Sequence, residues 1–348
     1  MIHSVLHYLS GLREARSTQL FFRNHEISLT YREFAKKVQC CAGRLRNAGV
    51  QPGHRLAIYS DDNLEVLELI FAGWLVRACV VPMNLKQKED KQQQIEAAIK
   101  PDLGVFHKDL KLAPKAFPVF EAGYADPMEW NDENDPEDLA LILFTSGSSG
   151  IPKGVPIRHQ AIYLNSYRTS KALSLTSDDR LFINTPAYTT SSMLHCFTAM
   201  AQGASVVVER GTMIGSNLLD QINSYGCTGF GGVPVHFTRI LASLRKGDRA
   251  DKLRFLMNSG DHLPVPIIEG IKDLLPDLQI SFRLMKPVQI PLILLQNMEL
   301  LLQKTPQKDV KILIIPLLIQ SLETGNEQVQ ELCLSILPTC VSLIDFGA

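Results

Sequence analysis

At 348 residues, 45% of them hydrophobic, the chain has material for about two domains and a sizeable core. Thirty-five Lys and Arg against 36 Asp and Glu leave a net charge of −1, so neither nucleic acid nor an acidic membrane surface is implied as a partner. Seven cysteines without a CxxC pair, a start with no basic apolar leader and no apolar run near the ~18 residues of a spanning helix point to a reducing, cytoplasmic setting without a membrane span.

His3 and His7 stand at helical spacing but have no third ligand nearby, so they read as surface residues rather than a metal pair. A strand pair is expected around residues 20–22 and 26–29. Thr30-Tyr31-Arg32-Glu33 then has the form of a capping box, and Phe34, Val38, Cys41 and Leu45 make the buried stripe of a helix that Gly49 stops. Strands at 55–59, 79–82 and 103–106 alternate with helices at 63–76 and 88–99, the pattern of βαβ units and a parallel sheet. Residues 107–138, rich in Pro, Asp, Glu and Asn, read as a surface connection with solvated acids.

The run 139–144, LALILF, reads as a buried strand that empties into Thr145-Ser146-Gly147-Ser148-Ser149-Gly150. Glycines let the backbone approach a ligand, and free N–H groups beside hydroxyls offer donors to anionic oxygens. Pro152 stiffens the exit and Lys153 supplies a cation. Such composition is ordinarily a flexible linker, but a strand before it and Pro-Lys-Gly-Val after it argue for a phosphate loop. A Walker loop does not fit, because Pro152 stands five residues after Gly147 and no Lys-Ser or Lys-Thr follows. TSGSSGIPKG resembles the signature loop of the adenylate-forming ligases, the superfamily of acyl-CoA synthetases, peptide-synthetase adenylation domains and luciferases. SLTYREF and FAGWLVRACVVPMN are similar to the first two blocks of that family, with Arg77 where glycine is usual. The resemblance covers residues 17–280.

Beyond the loop, a helix is expected at 160–173, strands at 180–184 and 204–209, a glycine-rich turn at 228–233, a helix at 235–244 and a strand at 253–257. A helix reaching residue 275 and a strand at 278–282 follow. The resemblance implies that Tyr188 and Thr189, the latter where many members have His, help wall an acyl pocket. It likewise implies that Gly231 and the turn at Ser259, Gly260 and Asp261 line the acyl and adenine sites, where members commonly read Gly-Gly-Ala or Gly-Gly-Glu. His195 and Cys196 have no acid or base partner placed by sequence, so a buried pair is preferred to a nucleophile.

From residue 285 glycine nearly vanishes and leucine and isoleucine rise, with amphipathic helical segments at 287–303, 308–323 and 327–344. NMELLLQKTPQKDVKILIIPLL and NEQVQELCLSILPTCVSLID resemble the HEAT-repeat region of the Scy-type pseudokinases, proteins of clathrin-linked membrane traffic. A helical tail packed on the α/β part is the plainer alternative. At the join, the ligases carry an aromatic-Gly-x-Thr-Glu block that stacks on adenine and places a carboxylate on Mg²⁺. This chain reads Ser281-Phe282-Arg283-Leu284-Met285-Lys286 instead, and the later ribose aspartate, hinge and C-terminal lobe with its catalytic lysine have no counterpart.

The expected fold is therefore α/β: the layered βαβ sheets of an incomplete adenylate-forming large lobe at 1–284, then an all-α HEAT-like segment at 285–348. The implied chemistry is attack of a small-molecule carboxylic acid on ATP, with Mg²⁺, followed by thiol capture, usually by CoA. Thr145, Ser146, Gly147, Ser148, Ser149, Gly150 and Lys153 would hold the β- and γ-phosphates. A truncated, catalytically impaired acid–CoA ligase homologue, of the kind that serves fatty acid metabolism, is the first expectation. The second is a non-catalytic trafficking adaptor that holds a protein partner through its helices.

Overall fold

The computed structural model describes residues 3–111, 115–145, 153–209, 218–244, 252–259, 263–275 and 278–282, together with Cys333. The chain divides into a unit of residues 1–258 and 262–281 and a second of 259–261 and 282–348. Apart from Cys333, the helices expected at 285–348 lie outside the described residues.

The first unit begins with α1 (Leu6–Ala15), β1 (Leu20–Arg23), β2 (Ser28–Thr30) and α2 (Tyr31–Asn47). The capping box forms as expected: the Thr30 hydroxyl accepts from Glu33 N at 3.3 Å, and the Glu33 carboxylate accepts from Thr30 N at 2.8 Å. Next come β3 (Arg55–Tyr59), α3 (Asn63–Leu75), β4 (Cys79–Pro82), α4 (Glu89–Ile99), β5 (Leu103–Phe106), β6 (Val119–Glu121), β7 (Leu139–Thr145) and β8 (Lys153–Arg158). These strands form a six-stranded sheet in the order β6-β5-β3-β4-β7-β8, parallel throughout except for the β7–β8 hairpin. Then follow α5 (His159–Ala172), β9 (Arg180–Ile183), α6 (Thr190–Met200), β10 (Ser205–Val208), α7 (Leu218–Ser224), β11 (Gly229–Gly232), α8 (Pro234–Ser243), β12 (Phe255–Asn258), α9 (Val265–Leu274) and β13 (Gln279–Phe282). They build a seven-stranded sheet in the order β13-β12-β11-β9-β10-β1-β2.

Helix α3 is buried at every position but Glu65, which explains why its apolar residues run round the helix rather than along one stripe. Its Phe71 and Trp74 meet Phe197 of α6 at ring distances of 5.8 and 5.4 Å, and Phe71 meets Phe34 of α2 at 5.6 Å. Residues from both sheets thus share one hydrophobic cluster around this helix. Just past its end Arg77 holds φ at +61°, a left-handed conformation that disfavours any side chain by about 1–2 kcal/mol. Glycine would remove that penalty.

Three expectations need correction. Residues 229–232 form a strand, β11, inside the seven-stranded sheet and not a turn. A Cβ at Gly229 would collide with the Phe255 ring and one at Gly231 with the His195 ring, so these glycines make room for bulky neighbours. The connection at 107–138 is also more than surface: it contributes β6 and is fastened by buried groups. Lys115 Nζ lies 2.7 Å from Glu96 Oε1 of α4, and Asn134 Nδ2 donates to Trp74 O at 2.9 Å. Tyr124 OH donates to Glu68 Oε2 of α3 at 2.7 Å, with Lys37 Nζ 3.1 Å from Oε1. Burial pushes the Glu68 carboxyl up from its ordinary range, against the pull of Tyr124 and Lys37. Finally, β7 is buried at Ala140, Leu141 and Leu143 but leaves Leu139 43% exposed.

His159, at the start of α5, is 1% exposed and packs edge-on to Trp74 at 5.4 Å. Burial lowers its pKa from 6.5 to about 4, although Asp132 and Asp138 pull the other way. The unfolded chain therefore binds a proton below pH 6.5 that the folded chain refuses until about pH 4, and stability falls as pH drops through that window. The loss amounts to about 3 kcal/mol. Urea unfolding at pH 7.5 and pH 4 should show it in the wild type, with a pH dependence weaker by about that amount in His159→Phe. Equal slopes in the two proteins would mean that His159 accepts its proton in the folded state.

Candidate functional site

Because β5, β3, β4 and β7 run parallel, their carboxyl ends share one edge of the six-stranded sheet, where open α/β sheets bind ligands. At that edge β7 turns back into β8, with Thr145 paired to Lys153 in the hairpin register. The expected phosphate-loop residues Ser146, Gly147, Ser148, Ser149 and Gly150 lie outside the described residues, but both ends of their span are fixed side by side. Lys153 is exposed at the first position of β8. A cation and the two ends of a Gly/Ser segment are thereby brought together.

Beside the hairpin, a cavity of about 180 Å³ opens where β4 and β7 end. Pro82, Met83, Leu143 and Phe144 line it together with Tyr188 and Thr189, from the turn between β9 and α6. The fold thus places the two residues expected at an acyl pocket beside the strand that leads into the expected phosphate loop. Their turn is held firmly. Ala187 N donates to the buried Asn63 Oδ1 at 2.8 Å, Thr189 Oγ1 donates to Pro186 O at 2.7 Å, and the same oxygen caps α6 by accepting from Ser192 N.

The other expected residues are placed differently. Gly231 sits within β11 beneath the His195 ring. Ser259 is buried just after β12, while Gly260 and Asp261 lie outside the described residues. His195 and Cys196 are both buried in α6, and burial pushes the Cys196 thiol up to about 12, far from a nucleophile's range. His3 and His7 stack their rings at 3.9 Å, and among the described residues no three His, Cys, Asp or Glu side chains gather as metal ligands. Sequence reasoning missed Asn63, whose one signal was a polar residue opening a mainly apolar helix, and also Asn84, Gln87, Ile95 and Thr190, which line the cavity as well.

Comparison with known proteins adds to this geometry. The family model described as AMP-binding enzyme matches residues 12–282. The L-proline–[L-prolyl-carrier protein] ligase of Streptomyces coelicolor is 28% identical over 280 residues, which cover 71% of this chain and 52% of the relative. The chain therefore spans about half the length of that relative. SCY1-like protein 2 of Mus musculus is 47% identical over 78 residues, 22% of this chain and 8% of the relative. Among solved structures, the complex of VinN with L-aspartate superposes with a TM-score of 0.72 at 20% identity, covering 82% of this chain and 77% of VinN, a likeness of fold. Among the described residues no helix is long and apolar enough to cross a membrane.

Proposed function

The chain belongs to the AMP-binding enzyme family, and from that premise we propose that it is an impaired homologue of an ATP-dependent acid–thiol ligase, able to hold a nucleotide's phosphates but not to form an acyl-adenylate at useful rates. The observation that carries the reading is the β7–β8 register, which sets Lys153 opposite Thr145 across the Gly/Ser segment. Backbone N–H groups and hydroxyls of residues 146–150 would cradle the β- and γ-phosphates of ATP, with Mg²⁺ carried on the nucleotide and Lys153 as the point charge. The acid would lie in the cavity against Phe144, Tyr188 and Thr189, its carboxylate toward the hairpin. In a complete enzyme the activated acyl group then passes to a thiol, of CoA or of a carrier protein, the acceptor class printed in the name of the Streptomyces relative.

Isothermal titration with Mg-ATP and with inorganic triphosphate tests the phosphate site. The two should bind with similar affinity, because no adenine-stacking block is read at residues 281–286, and Lys153→Ala should weaken both about tenfold or more. A variant that binds as well as the wild type would sink the reading.

A second reading is supported by the similarity to SCY1-like protein 2 and by the end of the family match at residue 282. In it residues 285–348 form HEAT-like helices that hold a cytoplasmic protein partner, and the ligase-like lobe is a passenger. Partner capture by the full chain would then be indifferent to Lys153→Ala.

A further inference from the structure

We infer that the cavity at the ends of β4 and β7 is a subsite for an uncharged hydrogen-bonding group at the far end of the acid, with Gln87 as its specificity-determining residue; this rests on the reading of that cavity as the acid's site. None of its described lining residues carries a charge. A carboxylate or ammonium placed there would lose its hydration without a counter-ion, a strongly unfavourable exchange. The acid's carboxylate therefore points out of the cavity, toward Lys153, and what enters is neutral.

The polar groups of the wall define what that neutral group must offer. Thr189 already donates its hydroxyl to Pro186 O, and Asn84 Oδ1 accepts from Lys86 N at 3.0 Å. Gln87 differs. Its backbone carbonyl is fixed by Gln92 Nε2 at 3.0 Å, yet its side-chain Oε1 is buried without any hydrogen-bond partner. Buried polar atoms are almost always paired, so an orphan beside a cavity asks for a ligand or a water. The last torsion of a glutamine is broad, so the carboxamide can turn while the backbone stays in place. An acceptor oxygen calls for an O–H or N–H donor. Met83, Ile95, Leu143 and Phe144 supply the apolar surface for the carbon segment that carries it, and the volume of about 180 Å³ admits a short one. The substrate class is thus a short carboxylic acid ending in a hydroxyl or amide, not a plain alkyl acid. A site built to hydrogen-bond such a group discriminates strongly against the analogue that lacks it, because its own polar atom is then left unpaired.

The experiment compares hexanoate with 6-hydroxyhexanoate, binding to the full chain in the presence of Mg-ATP by titration calorimetry. The hydroxy acid should bind at least about tenfold more tightly to the wild type. Gln87→Met should erase the preference while still binding hexanoate, which also shows that the site is intact. Gln87→Glu keeps an acceptor oxygen and should retain the preference, since its added charge acts equally on the carboxylates of both acids. Equal affinity of the wild type for the two acids overturns this inference and leaves the acid site standing. A preference that survives Gln87→Met removes Gln87 from the role, and binding of neither acid overturns both the inference and the reading on which it rests.

Discussion

ATP–pyrophosphate exchange by the 348-residue chain should stay at background with any carboxylic acid offered. In the ligases it resembles, adenylate formation depends on a block that stacks on adenine and sets a carboxylate on Mg²⁺, and at the corresponding place this chain reads Ser281-Phe282-Arg283-Leu284-Met285-Lys286. The Mg²⁺ carboxylate acts on charge that develops as pyrophosphate departs, and removing a single group of that kind typically lowers turnover by about 10²–10³. Loss of the adenine stack loosens the positioning of the nucleotide as well, whereas phosphate binding in the ground state would rest on the hairpin and should survive. Mg-ATP binding and exchange measured on one preparation should therefore separate. Lys153→Ala should remove whatever exchange remains. Turnover near the ordinary enzyme range of about 1–10³ s⁻¹ would show that other residues replace the lost block.

The sequence showed the βαβ part of the fold where local pattern and tertiary demand agree. Residues 55–59, 79–82 and 103–106 form strands within the expected bounds, because each is a short apolar run bounded by polar or turn residues. Strand β11 was hidden because Gly229-Phe230-Gly231-Gly232 has the composition of a turn. Its glycines answer to Phe255 and His195, rings that arrive from other elements. Strand β6 is three residues long, too short for an alternating pattern to register. The same division holds at the site. Thr145 and Lys153, read from the motif, pair across the β7–β8 hairpin, and Tyr188 and Thr189, read from the resemblance, line a cavity with Leu143 and Phe144 of β7. Asn63 and Gln87 were not, since one acts across 124 residues of sequence and the other only through a cavity that the folded chain creates.

Replacing Lys115 by Met should lower the unfolding free energy by about 3–5 kcal/mol, a large fraction of the 5–15 kcal/mol typical of a folded domain. The Lys115 side chain is 4% exposed and that of Glu96 11%, and their 2.7 Å contact lies under the Tyr59 ring, with Lys115 Nζ 5.0 Å from its centre. Tyr59 OH donates to the same Glu96 oxygen at 2.8 Å, so the carboxylate has two partners in a poorly solvated place. Removing the lysine leaves a mostly buried carboxylate with one neutral donor, and water, which reaches only a small part of that side chain, replaces the countercharge poorly. The connection at 107–138 would also lose one of its fastenings to α4. If the loss comes from an unpaired charge and not from altered packing, Lys115→Met combined with Glu96→Leu should recover most of it, since replacing both members of a buried pair by apolar groups is often close to neutral. Urea unfolding of the wild type, both single variants and the double variant closes the cycle. A loss below about 1 kcal/mol for Lys115→Met would place the pair among solvated surface contacts, and a double variant no more stable than Lys115→Met alone would assign the loss to packing.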